Sequence, residues 1–148
     1  MTGAPLRRLF LEGMAYADQI MEMSKANIPI GPHGGGIANC VWMPPGSVVV
    51  EFVPPVGVTL LKLYHNFCRR AAGRGELTIE HIGFIAERDP AEGEPGFEAA
   101  SPSWKSNKRL FSNIWMPKER IAKYFERALE LYRKSWKLSS MEKWRVES

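Results

Sequence analysis

The chain is poor in several things that would assign a protein to a class quickly. It has two cysteines, Cys40 and Cys68. Two do not make a disulfide framework, and their spacing suits no metal, so they read as reduced thiols packed inside, with no metal site. No run is apolar and long enough to span a membrane. The first residues carry Arg7 and Arg8, but Glu12 and Asp18 interrupt what would be the apolar core of a signal peptide. The expectation is a cytosolic chain; a longer precursor would open the Golgi or endoplasmic reticulum lumen instead.

One-signed charge is also scarce. The formal net charge is +4 over 148 residues, and Lys and Arg alternate with Glu along most of the chain. That balance suits a small anion such as a phosphate and argues against a nucleic-acid partner. The length fits one ordinary domain with a real core. It is short for an enzyme that needs separate donor and acceptor domains. There is no internal repeat.

What is present is an alternation of helical and strand-like segments. Residues 5–25 read as an amphipathic helix through Phe10, Met14, Ala17 and Met21, weakened by Gly13. Asn27 to Ile30 reads as a buried strand, kept short or at an edge by Pro29. A Gly-rich turn follows, then a short helix from Ile37 to Met43 stopped by Pro44-Pro45-Gly46. Ser47 to Val53 is β-branched and continuous, as in a strand covered on both faces. A helix from Leu60 to Ala72 and a strand from Leu77 to Glu87 come next.

Residues 88–103 are rich in Pro, Gly, Glu and Ser and read as a flexible loop. Lys108 to Met116 reads as one more strand. Pro117 sits at a helix start, and Ile121, Phe125, Ala128, Leu129, Tyr132 and Trp136 form the stripe of the helix beyond it. Residues 139–148 read as a polar tail. The whole predicts an α/β domain over 1–138, a Rossmann-like parallel sheet with helices on both faces.

The chemistry points to the turn Gly31-Pro32-His33-Gly34-Gly35-Gly36. Consecutive glycines let successive amides converge on one anion where a strand hands over to a helix, and a diphosphate is the natural guest. The alternative is a tight turn whose glycines only permit close packing. His33 either donates to the same anion or holds the turn. Two other glycine motifs fail. The dinucleotide fingerprint needs a third glycine where Asn39 stands, and the lipase-type oxyanion turn needs a Gly-x-Ser-x-Gly nucleophile that the chain does not have.

Residues 19–54 resemble the C-terminal signature of family 61 glycosyltransferases. In that pattern a Gln-bearing helix leads to a strand, a Gly-x-His-Gly-Ala-Gly-Leu-x-Asn turn and a Pro-Gly-Ser-x-x-x-Glu strand. Gln19, His33, Gly34, Gly36, Asn39, Pro45-Gly46-Ser47 and Glu51 fall in order, with Gly35 for Ala and Ile37 for Leu. The resemblance implies one half of a GT-B fold, inverting transfer from a UDP-sugar to a glycan or protein acceptor, and no required metal or cofactor. It implies that His33, Gly34, Gly35, Gly36 and Ile37 line the donor's diphosphate. Asn39 would brace the turn or reach the nucleotide, and Glu51, at a strand end, would accept from ribose hydroxyls. Gln19 would order the turn. The Arg-rich segment that usually precedes the Gln helix is missing, as are the acceptor domain and a general base. His65 and His81 read as ordinary partly buried histidines. The expectation is a donor-binding domain in polysaccharide or glycoprotein glycan synthesis that needs a separate acceptor-binding domain or chain. The alternative is a non-catalytic nucleotide or nucleotide-sugar module.

Overall fold

A computed structural model describes residues 7–53, 61–71, 78–88, 114–115 and 117–146. Three strands form a parallel sheet in the order β1 (Ile30–Pro32), β2 (Val48–Val53), β3 (Glu80–Ile85). Ile30 pairs with Val50, and Val50 with Ile82, which fixes which side chains share a face. Because a strand alternates its side chains, Val49, Glu51 and His81 point to one face and Val48, Val50 and Phe84 to the other.

Both faces are covered, which is why the middle strand is apolar almost throughout. Val48, Val49, Val50 and Val53 are all at most 1% exposed. Each such burial stabilises the fold by about 1.5–3 kcal/mol. On one face Val49 packs with Met23 of α1 (Tyr16–Met23), Ile37 of α2 (Gly35–Ala38), Cys40 of a 3₁₀ helix (Asn39–Trp42) and Tyr64 and Cys68 of α3 (Leu61–Ala71). On the other, Val48, Val50 and Phe84 meet α4 (Lys118–Val146) through Tyr124, Ala128, Leu131 and Tyr132. The Phe84 and Tyr124 rings stack with centroids 4.0 Å apart and planes 6° apart.

Several expectations shift. The first helix covers only Tyr16–Met23. Gly13 takes a left-handed φ of 78° within a turn in which the Met14 amide bonds the Leu11 carbonyl, so the helical pattern of residues 5–15 is not realised where it is described. β1 begins at Ile30 and is an edge strand, as Pro29 argued, but Ile30 is 39% exposed rather than buried. The segment from Leu77 divides. Glu80–Ile85 joins the sheet, while β4 (Glu87–Arg88) pairs antiparallel with β5 (Ile114–Trp115). α4 starts beside Pro117, whose carbonyl accepts from Arg120 and Ile121, and runs through the expected tail to Val146. Its core face is rotated from the expected stripe. Ala128 is fully buried and Tyr132 packs on the sheet, but Ile121 is 40% and Trp136 64% exposed. The loop expected at 88–103 lies outside the described residues beyond Arg88.

Candidate functional site

The Gly-rich turn leaves the carboxyl end of β1, the edge where ligands of open α/β sheets sit. Its shape follows from where its amides go. The His33 amide extends the β1–β2 ladder by donating to the Phe52 carbonyl at 2.8 Å, and the Ile37 amide closes the turn on the Gly34 carbonyl at 3.0 Å. Between them, the amides of Gly34, Gly35 and Gly36 have no acceptor among the described residues. A Cβ built on Gly34 or Gly35 would meet nothing within 4 Å. Close packing therefore does not account for those two glycines. Gly36 differs, since a Cβ there would lie 3.1 Å from Leu11 Cδ1.

The turn is braced from three directions. Tyr64 of α3 donates its hydroxyl to the Gly34 carbonyl at 2.8 Å, and its ring lies 5.0 Å from that of His33. Burial pushes the Tyr64 phenol above its ordinary value, and the Glu51 and Cys40 charges add to that. From the helical side, Asn39 donates to Gln19 Oε1 at 3.0 Å, while Gln19 Nε2 reaches the carbonyls of Met14 at 3.1 Å and Leu11 at 3.3 Å. Gln19 thus ties α1 and the segment before it to the residue that ends the turn. Asn39 is 6% exposed and works as a brace.

The third brace is a buried carboxylate. Glu51 is 0% exposed. It stands inside β2, not at its end, and neither carboxylate oxygen is open to a ribose. Oε1 is hydrogen-bonded to Nδ1 of His33, and Oε2 to Nε2 of His81 at 2.7 Å. A buried carboxylate needs such partners, because desolvation penalises it heavily otherwise. The arrangement makes His33 a residue held from beneath by Glu51. His81, read from sequence as an ordinary partly buried histidine, is a member of this cluster, and the ring of His65 lies 5.9 Å from it.

The structure therefore gathers His33, Gly34, Gly35, Gly36, Ile37, Asn39 and Glu51 around one turn. They split into layers: Gly35 exposed with Gly34 and Gly36 half-buried beside it, Ile37 buried in the core, and Asn39 and Glu51 as buried supports. Sequence reasoning missed Tyr64 and His81. The signal for His81 was its place in a strand two residues before Gly83, the register partner of Glu51. Arg69 lies exposed on α3. No group of three His, Cys, Asp or Glu among the described residues is placed to hold a metal. A shallow cleft between Pro44–Gly46 and Tyr132–Trp136 lies at the opposite edge of the sheet, where β2 begins.

Comparison with known families matches residues 2–50 to the family model described as Glycosyltransferase 61. The matched stretch takes in α1, β1, the Gly-rich turn and the start of β2. It supports a glycosyltransferase, with a donor and an acceptor as its partners. Neither a curated protein nor a solved structure matches the chain. Among the described residues no helix is long and apolar enough to cross a membrane.

Proposed function

With residues 2–50 carrying a glycosyltransferase 61 segment, we propose that the chain is the donor-binding half of an inverting glycosyltransferase. Its donor is a UDP-sugar, its fold corresponds to one half of a GT-B enzyme, and it acts in polysaccharide or glycoprotein glycan synthesis. One observation carries the reading. Among the described residues, the amides of Gly34 and Gly35 have no acceptor, and open space stands where a side chain would be, at the carboxyl edge of a parallel sheet. Amides that are fixed in place before the reaction stabilise charge as it develops on a departing diphosphate, without reorganising. His33, anchored to Glu51 through Nδ1, donates to the same diphosphate from Nε2–H when the ring is the imidazolium, in which both nitrogens are donors. In this reading Glu51 positions His33 and leaves the ribose to other groups.

Sugar transfer also needs a base to take the acceptor's proton. His33 and His81 are engaged with Glu51, which supports an acceptor site contributed by a separate domain or chain. The test is a UDP titration followed by assays of donor hydrolysis and transfer, with and without an added acceptor-domain partner. Binding with turnover only when the partner is present is the expected result. Binding without turnover under any condition makes the chain a non-catalytic nucleotide-sugar module. No binding at millimolar UDP overturns the proposal.

A further inference from the structure

Cys40 and Cys68 play no part in the donor reading, and they are not scattered core thiols. Cys40 lies in the 3₁₀ helix that follows the glycine turn and Cys68 in α3. Their sulfurs are 3.2 Å apart, both side chains are 0% exposed, and both are free. We propose that the pair is a thiol–disulfide site, oxidised by a small-molecule disulfide of the glutathione class to a Cys40–Cys68 bond that staples the 3₁₀ helix to α3.

The geometry asks little of the fold. A disulfide bond of about 2.05 Å needs the sulfurs to close by roughly 1 Å, within reach of small side-chain rotations. The chemistry divides between the two residues. The Cys68 thiol donates to Cys40 Sγ, which draws Cys40 below the ordinary thiol value. Cys68, giving that hydrogen bond and desolvated, is pushed up. Cys40 is therefore the attacking thiolate. It takes one sulfur of glutathione disulfide to form a mixed disulfide and releases one glutathione. Cys68 then attacks Cys40 Sγ, expelling the second glutathione. Two electrons pass to the oxidant, and the two protein thiol protons end on two glutathione thiols. Both sulfurs are shielded, so the exchange runs through local opening of α3.

The bond has a structural consequence. Cys68 lies one helical turn beyond Tyr64, on the same side of α3, and both belong to the core cluster that contains Cys40. Joining Cys68 to Cys40 ties the helix that carries the Tyr64 hydroxyl to the segment whose turn that hydroxyl braces. A metal site is not an alternative use of these thiols, since no third ligand stands with them among the described residues.

The test uses the full wild-type chain, equilibrated in glutathione buffers of graded oxidised-to-reduced ratio, once folded and once in denaturing urea. Samples are acid-quenched, alkylated and weighed by mass spectrometry. The expected product is an intramolecular disulfide, two hydrogens lighter, with both alkylation sites lost. The folded chain should reach half-oxidation at a ratio at least tenfold more reducing than the unfolded chain. Cys40→Ser and Cys68→Ser should each give no intramolecular bond. The inference is overturned if the folded protein keeps both thiols at ratios that oxidise the unfolded chain. It is also overturned if only mixed or intermolecular disulfides form. None of these readouts involves a nucleotide, so the outcome is independent of the donor reading.

Discussion

Glu51 Oε2 lies 2.7 Å from His81 Nε2, although thirty positions separate them in sequence. The contact joins neighbouring strands inside a covered face, where water cannot replace either partner. Removing His81 leaves a fully buried carboxylate with one oxygen unmatched. His81→Leu should therefore lower stability by about 3 kcal/mol, the range seen when one member of a buried polar pair is deleted. His81→Gln, which keeps an N–H donor, should recover part of the loss. Urea denaturation measures both, and a change below about 0.5 kcal/mol for His81→Leu would show that the pair is not structural.

The glycines divide into those that serve the fold and those that do not. Gly46 has φ +84°, and a Cβ there would sit 3.2 Å from Ser135 Cβ on α4. Gly46→Ala should cost about 1–2 kcal/mol from the left-handed backbone alone. Gly35 begins α2 with nothing within 4 Å of a built Cβ. Gly35→Ala should leave stability unchanged or raise it by up to about 1 kcal/mol, while UDP affinity falls. Thermal denaturation beside a UDP titration separates the two effects. A Gly35→Ala protein that binds UDP as the wild type does would remove Gly35 from the site.

Tyr64 gives the fold a pH dependence at the alkaline end. Its phenol is raised above its ordinary value near 10, chiefly by desolvation. A raised value means that the folded state holds the proton after the unfolded state has lost it. Its contribution is fully present below pH ~10 and is lost as pH rises through the folded value. Tyr64→Phe should flatten that alkaline loss and cost about 1 kcal/mol at neutral pH, from the hydrogen bond to Gly34. Denaturation curves on both sides of pH 10 test this; an equal alkaline slope in the variant would contradict it.

The rotated face of α4 makes a prediction of its own. Ala128 is fully buried against the sheet, whereas Ile121 is 40% exposed. Ala128→Leu should overpack the core and cost about 1–3 kcal/mol. Ile121→Ala should cost about 1 kcal/mol, less than a fully buried isoleucine would, since 40% of its surface is already in water. Denaturant midpoints measure both, and an Ala128→Leu protein as stable as the wild type would contradict the packing of Ala128 against the sheet.

What could be read in the sequence was local. The unbroken Val48-Val49-Val50 run marked the central strand, Pro29 marked an edge, and three glycines after a strand marked the turn. What could not be read depends on packing between distant segments. α4 has apolar residues on more than one side, so its periodicity admits two faces, and Phe84 and Tyr124 choose between them by stacking. Gly13 was visible as a weak point, but only its left-handed φ turns the chain there. Glu51 looked like a strand-end carboxylate because nothing near it in sequence announces two histidines. His33 lies eighteen positions before it and His81 thirty after it, and only the parallel register brings them together.

The measurement that bears most directly on the account is an amide-resolved NMR titration of the full chain with UDP. The amides of Gly34, Gly35 and Gly36, together with the His33 ring, should shift in a saturable way at sub-millimolar UDP, and Gly35→Ala should weaken that response at least tenfold without loss of fold. Shifts confined to other surfaces, or none at those three glycines up to millimolar UDP, would contradict the claim that this turn receives the donor's diphosphate.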